Sequence, residues 1–174
     1  LHQLGMPQAR FEVQVTPTAK RQRHGADQVT FLFSANAGEA SQPVSAVASG
    51  GELSRIMLAL NLVTGSDVPT LAFDEVDAGV GGATANHVAR LLAQLAEEHQ
   101  VLVVTHLAQV AAFAGAHFVV EKRQAAGRTV TAVRRVQESE RPEELARMLS
   151  GTVTEVSLQH ARELLEAASR QVSI

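Results

Sequence analysis

An α/β fold, with a mostly parallel sheet flanked by helices and an antiparallel hairpin near the N-terminus, is what the order of apolar patterns predicts. Three observations carry it. Phe11, Val13 and Val15, and again Val29, Phe31 and Phe33, alternate with polar residues, the period of two half-buried strands. Short apolar runs at residues 68–73 and 101–104 flank a stretch in which Val88, Leu91, Leu92 and Leu95 recur at helical spacing, so the middle of the chain reads strand, helix, strand of a parallel sheet. The 174 residues, 45% of them apolar, suffice for one domain with a substantial core.

Taken in order, the first two strands are joined by a basic loop, Lys20, Arg21, Gln22, Arg23 and His24. After the stretch 35–45, Leu53, Ile56, Met57, Leu60 and Val63 keep a helical period, which predicts an amphipathic helix starting close to Glu52. A short helix is expected at residues 108–113. Strands at 117–121 and 129–136, separated by a turn containing Gly127, are expected near a sheet edge. Pro142 suits a helix start, with Leu145, Met148 and Leu149 behind it and Gly151 as the stop. Thr152-x-x-Glu155 reads as a capping box for a last helix carrying Leu158, Ala161, Leu164 and Leu165. No internal repeat or low-complexity linker interrupts this order.

A formal net charge of −3 gives no broad basic footprint, so any DNA contact is local, with the 20–24 loop as its candidate and a solvated loop tip as the plain alternative. The chain has no Cys, hence no disulfide framework and no thiolate metal site, which suits a reducing cytoplasm. No apolar run approaches the roughly 18 residues of a membrane span. The sequence starts at Leu1 without an initiator Met, and a piece of a longer polypeptide is expected.

Three segments carry chemistry. Ser49-Gly50-Gly51-Glu52 precedes a helical pattern, where Ser-x-x-Glu is itself a capping box. Two successive glycines in a first turn cost up to about 1 kcal/mol each relative to Ala, so capping alone does not account for them. Bare backbone N–H groups at a positive helix end, with the Ser49 hydroxyl beside them, suit an anion such as a phosphate. Asp74 and Glu75 follow directly on an apolar strand, and Thr105-His106 follows on the next. In open α/β sheets ligands collect outside the carboxyl ends of strands, so both pairs are expected at one rim. There Asp74 suits Mg²⁺, held through water. Glu75 suits positioning and deprotonating an attacking water, and His106 suits donation to charge building on a phosphoryl group. A solvated strand end and a structural His are the bland alternatives. Gly79, Gly81 and Gly82 do not make a dinucleotide fingerprint, because the third glycine position holds Thr84 and three carboxylates crowd the site. They read as a flexible, close-packing loop that lets Asp77 reach a neighbour across a dimer interface. No GxxxxGK[ST] occurs anywhere, so action on ATP is expected only with a partner that holds the β- and γ-phosphates.

Residues 47–55 (Val-Ala-Ser-Gly-Gly-Glu-Leu-Ser-Arg), 73–82 (Phe-Asp-Glu-Val-Asp-Ala-Gly-Val-Gly-Gly) and 104–106 (Val-Thr-His) resemble the ABC-type ATPase signature, the Walker B segment with its D-loop, and the switch His. More narrowly they resemble the RecN family, bacterial SMC-like ATPases of double-strand-break repair and recombination. Glu143-Glu144-Leu145-Ala146-Arg147-Met148-Leu149-Ser150-Gly151 is similar to that family too, so the resemblance covers nearly the whole chain. Ala48 stands where the wider ABC superfamily has Leu, a departure that favours the RecN branch over transporter subunits.

The resemblance implies that residues 1–174 are the C-terminal lobe of an ABC-type head, with the Walker A lobe and a long antiparallel coiled coil elsewhere in the polypeptide. Two heads would sandwich two ATP molecules with Mg²⁺. Ser49, Gly50, Gly51 and Glu52 would meet the γ-phosphate of the other head's nucleotide, with Asp77 and Gly79 as the D-loop, Asp74 at the metal, Glu75 as general base and His106 on the transferred charge. Walker A and Q-loop residues have no counterpart here. DNA, the N-terminal lobe and a second head are the implied partners, in the cytoplasm at the nucleoid. A transporter nucleotide-binding subunit and a non-catalytic DNA-tethering lobe are the alternatives.

Overall fold

The computed structural model describes residues 1–23, 25–65, 67–125 and 128–172. His24 and Gly127, which the sequence assigns to two turns, lie outside the described residues. The elements run β1 (Arg10–Gln22), β2 (Gly25–Ser34), β3 (Gln42–Pro43), α1 (Val44–Val47), α2 (Gly50–Thr64), β4 (Thr70–Phe73), α3 (Gly82–Leu95), β5 (Gln100–Val103), α4 (Ala108–Ala111), β6 (His117–Ala125), β7 (Arg128–Val136), α5 (Arg141–Ser150) and α6 (Glu155–Val172).

The expected strand, helix, strand unit is present. β4 and β5 pair in parallel, in register from Thr70 opposite Gln100 to Phe73 opposite Val103, and α3 crosses between them. The buried residues of α3 are Ala85, Val88, Ala89, Leu92 and Leu95, the same stripe that the helical period marks in the sequence. Among the described residues, parallel pairing is confined to β4 and β5. β1, β2 and β3 form an antiparallel sheet of their own, and β6–β7 forms another, rather than the edge of the parallel one.

Two cores hold these pieces. In the larger, Ile56 and Leu58 of α2, Phe73 of β4 and Leu92 of α3 meet Phe33 from the base of the β1–β2 hairpin and Leu4 from the N-terminal turn. The smaller joins α4 to α5 and α6 through Ala111, Leu145, Ala146 and Ala161. Arg141, only 8% exposed, stitches that core from the first turn of α5. Its Nη2 donates to the carbonyls of Ala114 at 2.8 Å, Ala112 at 3.2 Å and Ala111 at 3.4 Å, which places the cation on the carbonyl end of α4. Gly151, at φ 75°, caps α5 as expected. The last helix differs from expectation: its capping pair is Thr154 with Ser157, not Thr152 with Glu155. The Ser157 amide donates to Thr154 Oγ1 at 3.2 Å and the Thr154 amide to Ser157 Oγ at 2.9 Å, because Ser157 is buried and turns its hydroxyl back to the chain.

All three sheets leave an apolar face uncovered. On the parallel ladder, Leu71, Phe73, Val101 and Val103 face the core while Leu102 and Val104 are 54% and 67% exposed. Val13, Val15, Val29 and Phe31 share one bare face of the β1–β2 hairpin, and Phe118, Val120 and Val133 one of β6–β7. Parallel sheets ordinarily have both faces covered, and two-stranded sheets are marginal alone.

His117 opens β6 against α5 with its Nδ1 buried and unbonded. Burial is the main cause that lowers its pKa below the usual 6.5, aided by Arg141 and Arg147 and opposed by Glu144. The unfolded chain therefore takes up this proton at higher pH than the folded one, so stability falls as pH drops below the unfolded value. Denaturant titrations from about pH 7 to about pH 5 should show a loss of stability that is smaller in His117→Phe; equal slopes in the two proteins would remove His117 from that role.

Candidate functional site

The turn of α2 comes first. Ser49 is its N-cap, and the capping box forms in full: the Glu52 amide donates to Ser49 Oγ at 3.3 Å and the Ser49 amide to Glu52 Oε2 at 2.8 Å. The innocent reading of Ser49-x-x-Glu52 is thus realised. It leaves the Gly50 and Gly51 amides, which have no intrahelical carbonyl in front of them.

Why glycine stands at both positions is visible in what lies opposite. A methyl on Gly50 would run into the Glu75 carboxylate. One on Gly51 would come within 2.9 Å of the Ala78 methyl and 3.0 Å of the Glu75 carbonyl oxygen. The glycines let the first turn of α2 lie directly on the turn that leaves β4. Ser54 Oγ donates to the Asp74 carbonyl at 2.5 Å, and the Arg55 guanidinium Nη1 donates to the carbonyls of Ala78 at 2.8 Å and Val76 at 3.3 Å. Burial lowers the Arg55 pKa, against the pull of Glu52 and Asp77. Ser54 and Arg55 belong to the 47–55 segment of the sequence, but no role was assigned to either there. The signal was there in the spacing: Arg55 falls between Gly51 and Leu58 on the stripe of α2 that faces the protein.

Beyond Phe73 the chain alternates again, with Asp74 and Glu75 exposed and Val76 and Asp77 buried. Glu75 has φ 57°, the one non-glycine residue with positive φ among the described residues, a conformation costing on the order of 1 kcal/mol. Asp77, only 2% exposed, points inward. It accepts hydrogen bonds from Thr105 Oγ1 and from the His106 amide at 3.2 Å, and the His106 ring Nδ1 is 3.4 Å away. The ring itself is 75% exposed. The ends of β4 and β5 therefore meet at one rim, with Asp77 as the tie. In this structure Asp77 is spent on that tie within the chain, whereas the sequence suggested a reach to a neighbour. The expected close packing at Gly79, Gly81 and Gly82 is also not found: a methyl on any of them meets nothing within 4 Å, and what glycine serves is the positive φ of 72° at Gly79 and 53° at Gly82.

Among the described residues, no group of three or more His, Cys, Asp or Glu is arranged to hold a metal. Asp74 offers an exposed carboxylate directly at the end of β4, a donor that fits an ion binding through water and completed by substrate oxygens. Lys20, Arg21 and Arg23 sit exposed at the tip of the β1–β2 hairpin. No described helix is long and apolar enough to cross a membrane.

Among curated proteins, the DNA repair protein RecN of Deinococcus radiodurans is 55% identical over 165 residues, 95% of this chain and 29% of that protein. The DNA repair proteins RecN of Treponema pallidum and Vibrio cholerae are 49% and 46% identical, covering 98% and 97% of this chain and 31% of each relative. The chain thus spans less than a third of these relatives' length. No family model matches it. Among solved structures, the Smc head domain with a coiled coil and joint from Pyrococcus yayanosii has a TM-score of 0.54 at 20% identity, over 97% of this chain and 27% of that one. The Smc head domain with an extended coiled coil, bound to the C-terminal domain of ScpA, from Pyrococcus furiosus has the same score and identity over 86% and 35%. Those two likenesses bear on the fold alone.

Two substitutions at this contact should act in opposite directions. Gly51→Ala should lower stability by about 1–3 kcal/mol, because backbone has to give way. Glu75→Gly should raise it by about 1 kcal/mol through relief of the positive φ. Urea unfolding measures both, and a loss of stability in Glu75→Gly would contradict the strain.

Proposed function

Since the chain belongs to the RecN family, we propose that it is the C-terminal lobe of an ATP-hydrolysing head that acts in DNA repair. The observation that carries this reading is the shared rim: Asp74, Glu75 and His106 stand at the joined ends of two parallel strands, with the glycine turn of α2 beside them. A phosphoryl-transfer site needs those groups, and it also needs a cradle for the β- and γ-phosphates that this chain lacks. The N-terminal lobe of the same polypeptide supplies that cradle. The uncovered faces of the parallel ladder and of the two hairpins support this, since each gains the layer that such sheets need.

Within the complete head, Asp74 would hold Mg²⁺ through water, and the bound ion would supply neutralisation of charge on the phosphate oxygens. Glu75 orients the attacking water and takes its proton. His106 donates toward the charge that builds on the transferred group, its ring kept in place by Asp77. A second head closes the site. Its Ser49 hydroxyl and its Gly50 and Gly51 amides meet the γ-phosphate, so each head serves one nucleotide with Asp74 and Glu75 and the other with Ser49, and its own D-loop at Asp77 and Gly79 lies along the junction. DNA is the remaining partner, in the cytoplasm at the nucleoid.

The chain alone should show negligible ATP turnover, which appears when the N-terminal lobe is added; robust hydrolysis by the chain alone would refute the division of labour. In the complete head, Glu75→Gln should keep nucleotide binding, lose turnover by about a hundredfold or more and accumulate the closed dimer. Turnover at the unsubstituted rate would take the base role from Glu75.

A further inference from the structure

The clamp between α2 and the turn after β4 has no place in the chemistry above, yet it is among the most tightly specified contacts in the molecule. Arg55 is 5% exposed and reaches two carbonyls of the 74–80 turn with one nitrogen, while Ser54 holds a third carbonyl, that of Asp74. Gly51 lies against the backbone of that turn, so α2 cannot slide toward it. Moving away is no easier. The Arg55 Nε is already buried without a partner, and parting the clamp would strand the rest of a buried cation. Such a contact is kept or lost as a whole rather than stretched.

The two sides of the clamp serve different nucleotides in the reading given above, on which this inference rests. We propose that Ser54 and Arg55 are positioning residues that make the glycine turn of α2 and the 74–80 turn one rigid body. A phosphate seated on a head's Ser49 turn then sets Asp74, Glu75 and Asp77 of that same head for the other nucleotide. From Asp77 the setting passes to Thr105 and His106 through the hydrogen bonds it accepts. The two sites of a head dimer are thereby coupled through protein, with no contact between the nucleotides. Coupling of this kind is ordinarily worth about 5- to 150-fold in affinity.

The test uses the complete protein carrying Arg55→Met, Arg55→Lys or Ser54→Ala. ATP turnover is recorded against ATP concentration, and amide exchange is followed at residues 74–80. The wild type should give a sigmoid ATP curve. Arg55→Met should give a hyperbolic one, with kcat lowered about tenfold or more and half-saturation changed by less than about threefold; Arg55→Lys should recover part of both. Amide exchange at Ala78 and Val80 should quicken in Arg55→Met and in Ser54→Ala. If Arg55→Met fails to fold, Ser54→Ala decides, with the same direction of change expected. A folded variant with faster exchange but wild-type kcat and curve shape overturns the coupling. A complete wild-type protein that hydrolyses no ATP overturns the function on which the inference rests, and it does so whether or not exchange quickens in the variants.

Discussion

The contact on which the site depends is the approach of the first turn of α2 to the turn that leaves β4. It is possible only because residues 50 and 51 have no side chains, and it is fastened by Ser54 and Arg55. Everything assigned to chemistry lies on one side of it or the other. Ser49 and the two glycine amides belong to the helix; Asp74, Glu75 and Asp77 belong to the turn. Through Asp77 the turn also fixes Thr105 and the backbone of His106, so candidate groups from three segments share one mechanical frame. The positive φ of Glu75 fits such a frame, since local strain persists only where the surroundings over-determine it.

A second constraint comes from the sheets. A parallel pair of four-residue strands, covered on one face by α3 and bare on the other at Leu102 and Val104, is half of a layered structure. The bare faces of the β1–β2 and β6–β7 hairpins are of the same kind. The small second core, fastened by Arg141, keeps α5 and α6 beneath the segment that follows His106 without covering any of these faces. The site is therefore carried by a scaffold that holds its shape around α2 and α3 while presenting apolar surface to another layer.

Much of this was legible in the sequence, and for reasons that can be named. Helical and alternating periods located α3, which has one buried face, and the β1–β2 hairpin, whose apolar face is buried only at its base by Phe33 and Phe11, and the apolar runs at 68–73 and 101–104 located β4 and β5 because they pack on α3. The carboxylates and the Thr105-His106 pair were recognisable because strand ends in α/β sheets converge. What the periods do not carry is direction and partnership beyond the segment. Asp77 looked like a group free to reach outward, and only the Thr105 hydroxyl and His106 amide, contributed from 28 and 29 residues away, show that it turns in. Thr152-x-x-Glu155 fits the capping pattern on paper; the buried Ser157, which no sequence pattern marks, moves the cap to Thr154. Arg55 entered only as the end of the 47–55 segment, although its register put it on the inner stripe of α2.

The central claim is that one chain serves two nucleotides, one with Ser49 and one with Asp74 and Glu75. The most direct measurement is the mass in solution of the complete head carrying Glu75→Gln, with ATP and Mg²⁺, compared with the same protein also carrying Ser49→Arg. The account predicts an ATP-dependent dimer in the first and a monomer that still binds ATP in the second. A dimer formed equally well by both would contradict it.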